Sequence, residues 1–149
     1  MKNFYLIFML VCFMGGMVLS AKAEEKEPLI IEMLNNRGKD KMLYGQDVAK
    51  IDVGQTITWT PDSKGHNVQF ISVPDGVEKV KSKLSKEFSY TFEQEGVYLY
   101  VCTPHATMGM IGVVVVGESD VNLDEVLGYK FRGKSKKKFK KIVKLLEDA

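Results

Sequence analysis

Apolar and polar positions alternate through much of the chain between residues 29 and 117. Phe88, Tyr90 and Phe92 share one parity, as do Ile57 and Trp59, which is the two-residue period of strands that bury one face. LIIEML, at 29–34, reads as a strand of branched apolar side chains ended by a turn at Asn35, Asn36, Arg37 and Gly38. Further strands fall at 48–53, 55–60, 67–71, 88–92, 97–102 and 111–117. Turn signals divide them at Val53-Gly54, Pro61-Asp62, Pro74-Asp75-Gly76 and Glu95-Gly96. Short strands at this spacing predict an all-β fold, a sandwich of two sheets. The mixed-charge stretch 77–84 reads as a loop or a helical turn.

Beyond Gly117 the pattern changes. Asn122 precedes LDEVLG, with acids in the first turn and Gly128 placed to end it, the signature of a short helix. Ser135 is placed to cap a second helix, KKKFKKIVKLLEDA, in which Phe139, Ile142, Val143 and Leu146 follow the i, i+3, i+4, i+7 spacing. Its lysines take the opposite face. They read as a solvated surface over a docked apolar stripe, with a membrane-surface or partner-binding helix as the alternative.

The first residues obey a different rule. MKNFYLIFMLVCFMGGMVLSAKA has an early lysine, an apolar run from Phe4 to Leu19 and a small-x-small ending at Ala21 to Ala23, which predicts a secretory signal peptide over 1–23, cleaved after Ala23. The run is interrupted by Gly15-Gly16 and sits at or below the roughly 17–25 residues that a membrane span needs, so no stable membrane insertion is expected. Removal of this segment takes away Cys12, Lys2 and Lys22 and no acid. The 21 basic residues therefore fall to 19, against 19 acids, and the remaining 24–149 is formally neutral. Such a chain offers no electrostatic pull on nucleic acid. Its length suits a single domain, expected to act as a monomer. An exported protein with one unpaired thiol, Cys102, makes that residue the one to explain.

Cys102 opens CTPHATMGMIG, so a thiol, the imidazole of His105 and the thioethers of Met108 and Met110 lie within nine positions. The chain has one other histidine, His66, at the start of the 67–71 strand. Singly, each has an ordinary role: a buried cysteine as a small hydrophobe, methionines as pliable filler, a histidine as a turn residue. Together, one soft thiolate, two imidazoles and a weak thioether suit copper better than magnesium or calcium. A cysteine–histidine nucleophile needs an orienting third group and an oxyanion site that nothing nearby announces. Structural zinc needs further cysteines or histidines to close its tetrahedron.

GHNV at 65–68, VYLYVCTPHATMGMIGVVVVG at 97–117, VPDGVEKVKSKL at 73–84 and MLN at 33–35 together resemble the pseudoazurins, blue copper proteins of the cupredoxin family. The resemblance runs from about Ile30 to the C terminus. It implies a cupredoxin-like Greek-key sandwich of about eight strands over about 29–117, followed by two C-terminal helices over about 120–149. It also implies one copper ion cycling between Cu(I) and Cu(II), held by His66, Cys102 and His105 as strong ligands and by Met110, eight positions after the cysteine, as the weak axial one. Met108 would instead fit the shorter ligand loop of amicyanins.

The implied function is one-electron transport in the periplasm, without catalysis. The expected partners are copper nitrite reductase, nitrous oxide reductase, a haem-containing nitrite reductase or other cytochromes. The electron would leave through His105, within an apolar patch drawn from Met42, Pro104, Ala106, Met108 and Ile111. Lys64, Lys81 and Lys83, with Arg37 or Lys39 nearby, match the lysine ring that steers acidic partners, whereas Val101 stands where a lysine is common. Around the site, the Asn67 backbone amide is expected to donate to the sulfur and a carbonyl near Asn35 to hold the far nitrogen of His66. Pro104 has no amide proton to donate there. The alternatives are a copper-delivery protein without redox turnover and an amicyanin-like or plastocyanin-like carrier with another partner.

Overall fold

The computed structural model describes residues 26–118 and 120–147, so the expected signal peptide and its cleavage point lie outside the described residues. Eight strands and two helices follow in order: β1 (Leu29–Arg37), β2 (Asp40–Tyr44), β3 (Val48–Ile51), β4 (Thr56–Thr60), β5 (Gln69–Ser72), β6 (Phe88–Thr91), β7 (Gly96–Val101), β8 (Ile111–Val116), α1 (Leu123–Leu127) and α2 (Gly133–Glu147). One sheet has the order β2-β1-β4-β6 and the other β3-β8-β7-β5. Among the described strands, β1–β2 and β7–β8 are consecutive pairs within a sheet, and the other strand-to-strand connections pass between the sheets, as expected of a Greek-key sandwich.

The seven strands expected from alternation all form, and β2 is added to them. Asn35, Asn36 and Arg37 do not turn but extend β1, and the reversal is the two-residue link Gly38-Lys39, with Gly38 at φ +60°. Arg37 then pairs with Asp40 across the hairpin, while its guanidinium bridges the Glu32 carboxylate at 2.7 Å and the Gly45 carbonyl at 2.8 Å. The 77–84 stretch has no helix; it is turn and loop, linked to β5 by a single bridge between Gln69 and Lys81.

Every residue of β7 is buried, because the strand separates two cores. Tyr98 and Tyr100 point into the sandwich with Trp59, Phe70, Phe92 and Cys102. Val97, Leu99 and Val101 face the other way and pack with Ile111, Val113, Val126, Phe139 and Ile142 under the helices. The apolar stripe of α2 thus docks as its spacing predicts. Val101 is apolar because it belongs to this second core. Burial of side chains of this size is worth about 1.5–3 kcal/mol each, so the helices add a second hydrophobic layer to the sandwich.

Two caps differ from expectation. Asn122 makes no side-chain cap of α1; instead its amide clamps the start of β7, donating to the Val97 carbonyl at 2.7 Å and accepting from the Val97 amide at 2.8 Å. Ser135 lies inside α2, which begins at Gly133. No helix among the described residues is long and apolar enough to cross a membrane.

Within the main core Trp59 stacks on Phe88 at 5.7 Å between ring centroids and meets Tyr100 edge-on at 5.3 Å. The buried Trp59 indole N–H and Tyr100 hydroxyl reach no partner of full hydrogen-bond geometry among the described residues; burial pushes the Tyr100 phenol well above its ordinary pKa, and the neighbouring Trp59 N–H opposes that rise in part. The Tyr100 ring lies against the backbone of Gly112 so closely that a β-carbon there would collide with the ring and its hydroxyl. Gly112→Ala is therefore expected to cost roughly 1–3 kcal/mol by overpacking, read as a lower urea midpoint with an unchanged slope. An unchanged midpoint would mean that the ring has room to move.

Candidate metal centre

Three of the four expected ligands meet at one end of the sandwich. The Cys102 sulfur lies 3.7 Å from Nδ1 of His66 and 3.4 Å from Nδ1 of His105, and the two imidazole nitrogens are 3.2 Å apart. All three donor atoms fall within 4.8 Å of one another. Cys102 directly follows β7 and is fully buried, as is His66, while His105 is half-buried. One 3₁₀ turn, Thr103–His105, with Pro104 as its second residue, carries the chain from the sulfur to the second imidazole. Met110 is fully buried and packs in the same core cluster as Cys102, whereas Met108 is 40% exposed.

Polar contacts hold these groups without blocking the donor atoms. Nε2 of His66 lies 2.9 Å from the side-chain oxygen of Asn35. An amide oxygen only accepts, so Nε2 donates and the lone pair is left on Nδ1, facing the sulfur. The carbonyl expected near Asn35 is thus that residue's own side chain. The backbone of His66 is strapped from the far side: the Ser85 amide donates to the His66 carbonyl at 2.8 Å, and the Gly65 amide donates to the Ser85 hydroxyl at 2.8 Å.

Asn67 ties the two ligand segments together. Its side-chain oxygen accepts from the Thr103 amide at 2.9 Å, its NH₂ donates to the Thr103 hydroxyl at 3.1 Å, and its carbonyl accepts from the Tyr44 hydroxyl at 2.7 Å. Asn67 therefore acts through its side chain as well as its backbone.

Burial raises the Cys102 thiol above its ordinary pKa, and hydrogen bonds from the backbone amides of Asn67 and His105 oppose that rise. Burial, and then the nearby charge of His105, lowers the pKa of His66, which favours the neutral imidazole that a metal requires. A buried thiol and two facing imidazoles form a donor set that fits a soft or borderline transition metal.

The ligand loop is also clamped from outside the sandwich, by a contact the sequence pattern did not reveal. Buried Ser135 of α2 donates to the Ala106 carbonyl at 2.5 Å and accepts from the Gly109 amide at 3.0 Å. The Lys134 amide donates to the Thr107 carbonyl at 2.8 Å. A serine one turn into a helix reads as a cap; only the three-dimensional approach of α2 to the loop gives it this role. Ile111, expected in the apolar patch, is fully buried in the second core and has no part in the surface. Pro104 and Met108 are exposed beside His105, with Ala106 and Met42 half-buried, and Lys64, Lys81 and Lys83 are exposed.

The family model for copper-binding proteins of the plastocyanin/azurin family matches residues 31–117. A pseudoazurin from Methylorubrum extorquens is 37% identical over 108 residues, 71% of each chain, and a putative pseudoazurin from Rhizobium leguminosarum is 32% identical over 121 residues, 80% of each. Among solved structures, a pseudoazurin from Methylobacterium extorquens AM1 superposes with a TM-score of 0.77 at 30% identity, covering 80% of this chain and 99% of that one.

Ser135→Ala leaves the Gly109 amide and the Ala106 carbonyl without that partner. Its expected cost is about 1–3 kcal/mol in the urea unfolding of the metal-free chain; a midpoint equal to the parent's would remove the clamp. The lowered pKa of His66 also has a consequence in pH. As pH falls, the unfolded chain takes up the proton first, so the metal-free fold keeps this contribution above the ordinary value of 6.5 and loses it on acidification through the depressed folded value. The melting temperature should fall across that window, and less steeply in His66→Gln; parallel profiles for the two proteins would contradict the assignment.

Proposed function

The chain belongs to the plastocyanin/azurin family of copper-binding proteins, and within it to the pseudoazurins, blue copper electron carriers and not enzymes; from this premise we propose that it shuttles single electrons to a reductase in the periplasm, with His66, Cys102, His105 and Met110 as the copper ligands. The observation that supports this reading most is the convergence of one sulfur and two Nδ1 atoms within 4.8 Å. It occurs at a buried strand end, with Met110 packed in the same cluster as the cysteine. When bound, copper supplies a one-electron couple between Cu(I) and Cu(II).

The protein's own part is to keep its donors still. Cys102 is fixed by β7, His66 by Asn35 and the Ser85 strap, and His105 with Met110 by a loop pinned to α2. Donors that are already in place move little when the charge between them changes, which keeps the barrier to electron transfer low. Four protein donors leave no open position for a substrate, consistent with transport and not hydrolysis. His105, half-buried among exposed Pro104 and Met108, provides the exit, and a small patch of this kind suits complexes that form and part at each turnover.

The predicted signal peptide supports export, and the family resemblance points to copper nitrite reductase, nitrous oxide reductase or a haem-containing nitrite reductase as acceptors. A copper-delivery protein is the second reading. The full burial of His66 and Cys102 weighs against it, because delivery favours exposed, exchangeable ligands.

Adding Cu(II) to residues 24–149 should produce an intense thiolate-to-copper charge-transfer colour, absent in Cys102→Ser. Fast electron self-exchange with slow copper loss to a chelator is expected of a carrier; the opposite pair of rates would favour delivery. Met110→Leu should raise the reduction potential and alter the spectrum while Met108→Leu leaves both nearly unchanged. The reverse result would transfer the axial role to Met108.

A further inference from the structure

α2 breaks the charge rules of a free-standing helix. Its span Lys134 to Lys144 holds seven lysines and no acid, and its first turn, where the helix dipole favours anions, has no acidic residue. Lys134, Lys137, Lys138 and Lys141 lie three or four residues apart on one side, a like-charge row that destabilises a helix. Within this row Lys138 pairs with Asp47 at 2.5 Å. A local cost without local compensation is a common mark of a functional surface.

These four lysines line one wall of a groove of about 660 Å³; Lys39 and Lys41, at the start of β2, line the other. Six lysines thus share one hollow with two aspartates, Asp40 and Asp47, on a chain whose 24–149 portion is balanced overall. Met42, Leu43, Met108 and Gly109 complete the lining. Met108 and Gly109 lie in the loop between His105 and Met110, so whatever fills the groove lies beside the electron exit. None of Lys64, Lys81 and Lys83 contributes to it.

We propose that the groove between β2 and α2 receives an acidic segment of the electron-transfer partner and seats it against the copper-ligand loop. This rests on the carrier reading and names the place and charge of its partner. A recess walled on two sides admits an extended chain bearing carboxylates, which can face lysines on both walls at once. A flat anionic membrane would instead meet only the outer crest of α2. Each carboxylate that enters also relieves repulsion within the lysine row, so binding should weaken steeply as salt screens it.

The probe is a decaglutamate peptide titrated into the copper-loaded and the metal-free chain, read by backbone amide shifts. The expected footprint includes Lys39, Lys41, Lys137, Met108 and Gly109. The triple variant Lys41→Glu, Lys137→Glu, Lys141→Glu should weaken binding at least about tenfold more than Lys64→Glu, Lys81→Glu, Lys83→Glu, which changes the net charge equally. Equal losses, a footprint centred on Lys64, Lys81 and Lys83, or binding to phosphatidylglycerol-containing vesicles without binding to the peptide would each overturn the proposal. Blue colour and self-exchange, measured on the same samples, report separately on the carrier reading. Their loss sinks that reading, while absent peptide binding with intact colour sinks the groove alone.

Discussion

The geometry of the site depends on β7 being buried on both faces. A strand with one wet face can shift or twist against its sheet at little cost; this one is held between the aromatic core of the sandwich and the aliphatic layer under the helices. Alternation along the strand assigns Tyr98, Tyr100 and Cys102 to one side and Val97, Leu99 and Val101 to the other, and a slip of one residue would exchange the two sets. The sulfur at its end is therefore positioned by both cores at once, and the other donors are brought to it.

Bringing two imidazoles to a buried thiol has an electrostatic cost. Burial disfavours the charged forms of His66 and Cys102, and the nearby charge of His105 adds to the effect on His66, so these two donors are poised towards their neutral forms. The polar straps around it act on the outer atoms only. Asn35 takes the far nitrogen of His66, Asn67 links the segments on either side of the sulfur, and Ser135 holds the loop that separates His105 from Met110. What these partners leave free are the lone pairs that face inward, and that is how the scaffold prepares a position for a cation before one arrives.

Much of this was readable in the sequence. Seven strands follow from alternation and turn residues, α2 from its apolar spacing, and the three donors that meet from the rarity of cysteine and histidine in the chain. β2 was missed because Asp40-Lys41-Met42-Leu43 lacks a clean alternation and sits just after a plausible turn; pairing with β1 overrides that local signal. Ser135, Ser85 and Asn122 were misread or overlooked because small polar residues act through contacts across 19 to 29 positions of sequence, as with Ser85 to His66 and Ser135 to Ala106. Ile111 was assigned to the surface because nearness to His105 in sequence says nothing about which face of β8 it occupies. Val101 shows the converse: its apolar identity looked like a missing lysine until the second core explained it.

The outer face of the β7–β8 hairpin raises a problem of timing. GVYLYV and IGVVVV are uncharged, rich in β-formers and free of proline, a composition that favours intermolecular stacking whenever such segments stand uncovered. Their cover comes from Val126 of α1 and from Phe139 and Ile142 of α2, which the chain supplies only after both strands. The arrival of α2 is thus the moment at which this aliphatic face is sealed. A product ending before α2 would retain most of its sheet pairing yet carry a bare aliphatic face, prone to self-association.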